Sequence, residues 1–334
     1  MVRKLFSLGL ALALTLSVSA AAFADGAEEV RYEDMSTVTL TKEYTLTNSD
    51  TLSPQETFGF TALTCVAVEQ GGVGVTPENA PVPTIGTISY SKGEAGSSTA
   101  VKTATITLPA YTAVGIYKYT FRETDGGTAG VSYRGEDILL VVTVIEQDGK
   151  TRVAAIHTES EGGQKSGSFD NTYSAGSLSV SKQVTGLMGD REKPFEVKVT
   201  FHAPAGDMVK SDISYTLNGV NTEIPGGTGW TTKEVTISLK HGQTVMFTNI
   251  PYGVTYTVAE SDYTGEGYDA PTYTYGDDTQ AVDSASETVE IVNNKGGRVD
   301  TGVSLDSLPY VMLLVLAVVG LGVFVARKRL ARER

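Results

Sequence analysis

The stretch Thr37-Val38-Thr39-Leu40-Thr41-Lys42-Glu43-Tyr44-Thr45-Leu46 alternates between apolar and polar side chains. Residues i and i+2 of an extended strand share a face. Val38, Leu40, Lys42, Tyr44 and Leu46 therefore point one way, and a lysine stands in the apolar row. The pattern returns at Leu178, Val180, Lys182 and Val184. Two strands of the chain thus aim a lysine where their aliphatic neighbours aim.

Outward from these strands the period stays at two. Ile116–Glu123, Ile138–Glu146, Phe195–Phe201, Val235–Leu239 and Thr255–Glu260 alternate, are rich in Thr, Val and Tyr, and are bounded by Gly, Asp, Asn and Pro. Short strands at such spacing predict an all-β chain of β-sandwiches. The order of features also repeats. Each lysine strand is followed by a Phe-rich strand (from Phe58 and from Phe195), then by Tyr119-Thr120-Phe121-Arg122-Glu123 or Tyr256-Thr257-Val258-Ala259-Glu260. Each copy then reaches Phe169-Asp170-Asn171 or Ile291-Val292-Asn293. The spacing predicts two tandem domains, 25–174 and 175–296, meeting at Ser174-Ala175-Gly176-Ser177.

Parity places three polar residues in each predicted core. Tyr117, Tyr119, Phe121 and Glu123 share a face, as do Val254, Tyr256, Val258 and Glu260. Phe169, Asn171 and Tyr173 agree, and so do Val289, Ile291 and Asn293. Asn294 is the alternative to Asn293, and parity favours Asn293. Burying isolated charges is costly, and desolvation favours the neutral forms of lysine and glutamate. A neutral lysine amine is a nucleophile. A protonated Glu123 or Glu260 is expected to hydrogen-bond the asparagine carbonyl and to shuttle protons. Attack on the side-chain carbon expels ammonia and leaves a Lys–Asn amide. The competing reading for each residue is a snorkelling lysine, an exposed glutamate and a turn asparagine.

Both ends read as processed segments. Residues 1–24 carry Arg3 and Lys4, an apolar run from Leu5 to Ala22 and a small-residue site at Ala22-Phe23-Ala24, which predicts a secretory signal peptide. Residues 297–334 form the second segment. Leu308 to Ala326 is uncharged and long enough to span a bilayer, and the basic tail 327–334 follows directly. Arg298-Val299-Asp300-Thr301-Gly302 lies just upstream. Polar motif, apolar span and basic tail in that order predict a sortase substrate cleaved between Thr301 and Gly302, against the alternative of an ordinary single-pass membrane protein.

Residues 25–301 hold 19 basic and 37 acidic side chains, a net charge near −18. Such a surface favours solubility and repels nucleic acid and anionic membranes; no basic patch with interleaved aromatics argues for nucleic-acid binding. Cys65 is the only cysteine, so no disulfide forms within the chain. It is expected to be a small buried hydrophobe, the alternative being a thioester cysteine. His157, His202 and His241 are scattered, and neither a metal nor another cofactor is expected. No Ser/His/Asp constellation suggests a turnover enzyme.

These motifs resemble a known family. Gly242-Gln243-Thr244 through Ile250-Pro251-Tyr252-Gly253 to Tyr256 and Glu260, and Ile106-Thr107-Leu108-Pro109 through Gly115-Ile116-Tyr117 to Glu123, are similar to the streptococcal-type pilin isopeptide-linkage domain, an immunoglobulin-like sandwich of the collagen-adhesin B kind. The resemblance implies triads Lys42–Glu123–Asn171 and Lys182–Glu260–Asn293, each closing one amide. The RVDTG stretch resembles LPxTG-class sorting signals, with Asp300 where shaft pilins have Pro. It implies sortase as partner, identical subunits and cell-wall peptidoglycan as acyl acceptors, and a place at the surface of a Gram-positive cell. Shaft pilins carry their linkage lysine shortly before the asparagine strand of the first domain. Lys165 occupies that place, with Lys150 as rival. The implied function is a pilus shaft subunit, with minor pilins or a host ligand as further partners. The alternative is a wall-anchored adhesin or minor pilin that does not polymerise.

Overall fold

A computed structural model of the chain describes residues 34–160, 163–277 and 279–297. The signal peptide, the Thr301-Gly302 motif and the apolar span lie outside the described residues. Among those described, no helix is long and apolar enough to cross a membrane.

Strands before Ser174 are β1 (Thr37–Leu46), β2 (Glu56–Phe58), β3 (Thr64–Glu69), β4 (Thr84–Ile85), β5 (Ile88–Tyr90), β6 (Val101–Thr107), β7 (Gly115–Phe121), β8 (Ile138–Gln147), β9 (Lys150–Glu159) and β10 (Ser168–Tyr173). One sheet runs β10-β1-β6-β4, a second β3-β7-β8-β9, and β2 pairs with β5. After Ser174 come β11 (Ala175–Thr185), β12 (Phe195–His202), β13 (Ile213–Leu217), β14 (Val220–Ile224), β15 (Thr232–Leu239), β16 (Thr244–Pro251), β17 (Thr255–Glu260), β18 (Thr272–Tyr275) and β19 (Ser286–Asn294). They form sheets β14-β13-β16-β11-β19-β18 and β15-β12-β17. The chain is thus all-β, with two immunoglobulin-like sandwiches in series.

Alternation explains the layers. β7 is buried at Tyr117, Tyr119 and Phe121, and β12 at Phe195, Val197, Val199 and Phe201. Each inner face meets its facing sheet in its own apolar core, one around Leu40, Tyr44 and Tyr119, the other around Val180, Phe247 and Ile291. The hairpin between β8 and β9 turns at Asp148-Gly149, both with positive φ, the conformation that suits the twist of paired strands.

In each sandwich the first and last strands lie side by side and parallel. β1 pairs with β10, setting Lys42 beside Phe169 and Tyr44 beside Asn171. β11 pairs with β19, setting Lys182 beside Ile291 and Val184 beside Asn293. Lysine and asparagine hold the same diagonal offset in both copies.

The junction between the sandwiches is tightly built. Ala129, from the loop after β7, is fully buried in the core of the second sandwich. The backbone of Gly127 and Ala129 exchanges hydrogen bonds with Met208 at 2.9 Å each way. Asn249 Nδ2 donates to Leu52 O and its Oδ1 accepts from Leu52 N, both at 3.0 Å. Gly130, at φ +78°, is required there, because a Cβ would lie 2.5 Å from Ser174 O.

Two local expectations are corrected. The Phe-rich strand of the first copy stops at Phe58, and Phe60 makes only an isolated bridge to Glu123; Gly59 between them carries no side chain to pack on the sheet. Cys65 is half-buried rather than fully buried. Register slips between Cys65 and Ala67 where β3 meets β7, and such a bulge turns the side chain partly out of the core.

Candidate functional site

β1, β7 and β10 bring Lys42, Glu123 and Asn171 together. Lys42 and Asn171 are wholly buried and Glu123 is 3% exposed. Lys42 Nζ donates to Glu123 Oε1 at 2.5 Å and to Asn171 Oδ1. Asn171 Nδ2 donates to Glu123 Oε2 at 2.7 Å and to Ser132 O at 2.6 Å. The backbone N–H of Arg134 also donates to Glu123 Oε2, at 2.7 Å.

The second sandwich repeats this arrangement on β11, β17 and β19. Lys182 and Asn293 are wholly buried, and the Glu260 side chain is fully covered. Lys182 Nζ lies 2.8 Å from Glu260 Oε2 and donates to Asn293 Oδ1. Asn293 Nδ2 donates to Glu260 Oε1 at 2.5 Å. Asn294 instead faces outward and donates to Asp269. Parity thus distinguishes the two asparagines.

Aromatic rings, whose role the sequence reading missed, close over both amines. Lys42 Nζ lies 3.9 Å from the Phe58 ring centre and 4.4 Å from that of Phe169. Lys182 Nζ lies 4.4 Å from the Phe195 ring centre. The signal was present in the Phe residues that follow each lysine strand. These rings exclude water yet tolerate a cation over their faces.

Burial acts on the amines accordingly. It pulls Lys42 down from 10.5 to about 8, against the opposing charge of Glu123. It lowers Lys182 as well, against the hydrogen bond and charge of Glu260. Both shifts enlarge the neutral, nucleophilic fraction.

The orientation of the asparagine amide revises the part expected of glutamate. The carbonyl oxygen faces the lysine, and Nδ2 faces the carboxylate. In this orientation each carboxylate lies against both the lysine nitrogen and the asparagine Nδ2. An amide-forming reaction at this site would bond Nζ to Cγ, break the Cγ–Nδ2 bond and release ammonia with a proton passed through the glutamate.

Asn171→Ala would trap the unreacted amine, with a pH signature. Between about pH 8 and 10.5 the unfolded chain would hold a proton on Lys42 that the folded chain does not. Stability therefore rises with pH across that window, by about 3 kcal/mol at most. Denaturant unfolding on either side of the window should show this rise in the variant relative to the wild type. Parallel profiles would mean that Lys42 keeps ordinary basicity.

Lys165 and Lys150 are both exposed. Lys150 opens β9 in the Asp148-Gly149 turn. Lys165 makes an isolated bridge to Glu159, just before β10. β10 runs from Ser168 towards Ser174 at the junction, so Lys165 stands at the other end of the first sandwich. β11 runs away from the junction and β19 runs parallel to it. Asn294 and Lys295 therefore stand at the outer end of the second sandwich. Lys165 and Asn294 thus stand at the ends of their sandwiches away from the junction.

Residues 38–174 match the family of Spy0128-like isopeptide containing domains, and residues 176–295 match a domain of unknown function, DUF7601. A pilin of Streptococcus pyogenes serotype M1 is 28% identical over 315 residues, covering 87% of this chain and 90% of that protein. The pilus tip adhesin Cpa of Streptococcus pyogenes is 28% identical over 134 residues, 39% of this chain and 18% of that longer protein. The crystal structure of the major pilin from Streptococcus pyogenes aligns with a TM-score of 0.54 at 26% identity, covering 78% of this chain and 99% of that one.

Proposed function

We propose that this chain, whose residues 38–174 match the family of Spy0128-like isopeptide containing domains, is a structural subunit of a Gram-positive pilus, self-cross-linked in both sandwiches and polymerised by sortase. Similarity to a streptococcal pilin along 87% of the chain supports the pilin reading. The observation that carries the rest is the doubled triad, with the same diagonal register and the same lysine–glutamate–asparagine contacts in two domains.

Each triad turns over once and leaves a neutral amide, which removes a buried charge as well as joining two strands. The chain has no repeating substrate and is not a turnover enzyme. The amides staple first to last strand, the two strands through which tension passes along a linear stack. Sortase then forms an acyl link at Thr301, releasing Gly302 onward, and Lys165 of the next subunit attacks it. Placement of Lys165 and Asn294 at the ends away from the junction suits head-to-tail growth. The last subunit passes to peptidoglycan, and minor pilins cap or anchor the fibre. The alternative function is a wall-anchored adhesin that never polymerises. Similarity of 134 residues to a pilus tip adhesin keeps it distinct as a reading.

Thr301→Ala tests processing. The variant should remain with the membrane fraction through Leu308–Ala326 and form no high-mass wall species. Normal release into the wall fraction would exclude cleavage at Thr301.

A further inference from the structure

The first triad takes two of its contacts from a segment that is anchored in the other sandwich. After Glu123 the chain leaves its sheet and returns to it at Ile138, where β8 begins. On the way it passes through the junction. Ala129 is seated in the core of the second sandwich, and Lys210 Nζ donates to Thr128 Oγ1 at 2.7 Å and to Gly126 O at 3.1 Å. Just downstream, Ser132 lies along β10. Its N–H donates to Thr172 O and its Oγ accepts from Thr172 N, both at 2.9 Å. The segment then reaches the triad, with Ser132 O accepting from Asn171 Nδ2 and the Arg134 N–H donating to Glu123 Oε2.

These two contacts decide how the reacting groups face. Asn171 Nδ2 is held between Ser132 O and Glu123 Oε2, both acceptors. Turning the amide over would set its carbonyl oxygen against them, so the orientation that presents this oxygen to Lys42 is selected. The Arg134 N–H fixes the carboxylate from the other side. The second triad has neither aid. Asn293 Nδ2 donates to Glu260 Oε1, and among the described residues no backbone N–H reaches Glu260 Oε2. Lys182 and Asn293 also lie towards the outer ends of β11 and β19, away from the junction. Ordering an irregular segment costs backbone entropy. Burial of Ala129, the backbone pair with Met208 and the Lys210 bonds offset that cost, and all of them come from the second sandwich.

We infer that the second sandwich sets the first triad for reaction. With Ala129 seated, the segment holds Ser132 O and the Arg134 N–H against Asn171 and Glu123, so the first amide closes only after the second sandwich has folded. The second triad closes by itself. Ala129 and Arg134 are positioning residues, acting through the geometry in which Lys42 meets Asn171. The inference rests on the amide chemistry proposed above. Its consequence is an order of events: the sandwich synthesised first is locked last, once the junction is in place.

The test follows closure in time. Chain 25–301 is made by cell-free synthesis, quenched in acid at intervals, and read by intact mass and by cross-linked peptides after digestion. In the wild type the Lys182–Asn293 peptide should appear before the Lys42–Asn171 peptide. Ala129→Asp puts a charge where the core accepts none. It should lengthen the half-time of the first amide by about tenfold or more and leave the second unchanged. Closure of the second amide in the same molecules reports that the second sandwich has folded. Ala129→Gly, which keeps the backbone bonds to Met208, should restore closure of the first. Arg134→Pro removes the N–H without touching the junction and should slow the first amide alone. If Ala129→Asp closes neither amide, the wild-type order and Arg134→Pro decide. Closure of the first amide at the wild-type rate in both variants would overturn the inference, as would a wild type in which the first amide leads. A wild type that forms no amide would sink the proposed chemistry as well, whereas two amides with unaltered kinetics would sink the coupling alone.

Discussion

Replacing Glu123 or Glu260 by glutamine should stop amide formation in that sandwich alone and lower its melting temperature by on the order of 20 °C. The proposed Lys42–Asn171 and Lys182–Asn293 links would span 129 and 111 residues. By analogy with a disulfide closing a loop of ~100 residues, each contributes roughly 4–5 kcal/mol through the unfolded chain. A domain of this size moves by about 4 °C for each kcal/mol. Glutamine keeps the shape and some hydrogen bonds but cannot carry the proton from Nζ to Nδ2. Alanine at either position should fall further, because it leaves a buried amine without its carboxylate, worth about 3–5 kcal/mol more. Differential scanning calorimetry would resolve the two sandwiches. An unaltered transition in the glutamine variants would mean that glutamate is not the proton carrier.

The second large effect is on polymerisation. Wall extracts of wild type should run as a ladder in denaturing gels, each rung one mature subunit apart. Reductant and boiling should leave the ladder intact, since the links are amides and Cys65 takes no part. Lys165→Arg should collapse it to one wall-bound species, because guanidinium stays protonated and does not attack an acyl group. The triads should survive, as they use Lys42 and Lys182. A ladder that persists in Lys165→Arg and disappears in Lys150→Arg would move the linkage to the β8–β9 turn. No ladder in wild type, in cells with a pilus sortase, would leave the solitary adhesin.

The cores were legible in the sequence because strand parity is a strict rule. Lys42, Lys182, Asn171 and Asn293 each fell in an apolar row and each is wholly buried. Parity is silent on what happens at the end of a side chain. It did not show that the asparagine nitrogen, rather than its oxygen, faces the glutamate. In the first sandwich that nitrogen also donates to Ser132 O, brought in by a loop. The junction was equally hidden, since Ala129 leaves its own domain to fill the core of the next. Local pattern carries no sign of such an exchange. The burial of Glu287 was readable and went unread: it stands two residues before Val289 in the same inward row that identified Asn293. The slip at Cys65 marks the opposite case, where a bulge breaks the parity on which the expectation rested.

The central claim is that two buried lysines react with two asparagines without any other protein. Intact-mass measurement of recombinant 25–301, purified without sortase, tests it most directly. The account predicts a mass short by two ammonias, with one restored in Glu123→Ala, the other in Glu260→Ala, and both in the double variant. Protease digestion should yield peptides joining Lys42 to Asn171 and Lys182 to Asn293. A wild-type mass equal to that of the unmodified sequence would contradict it.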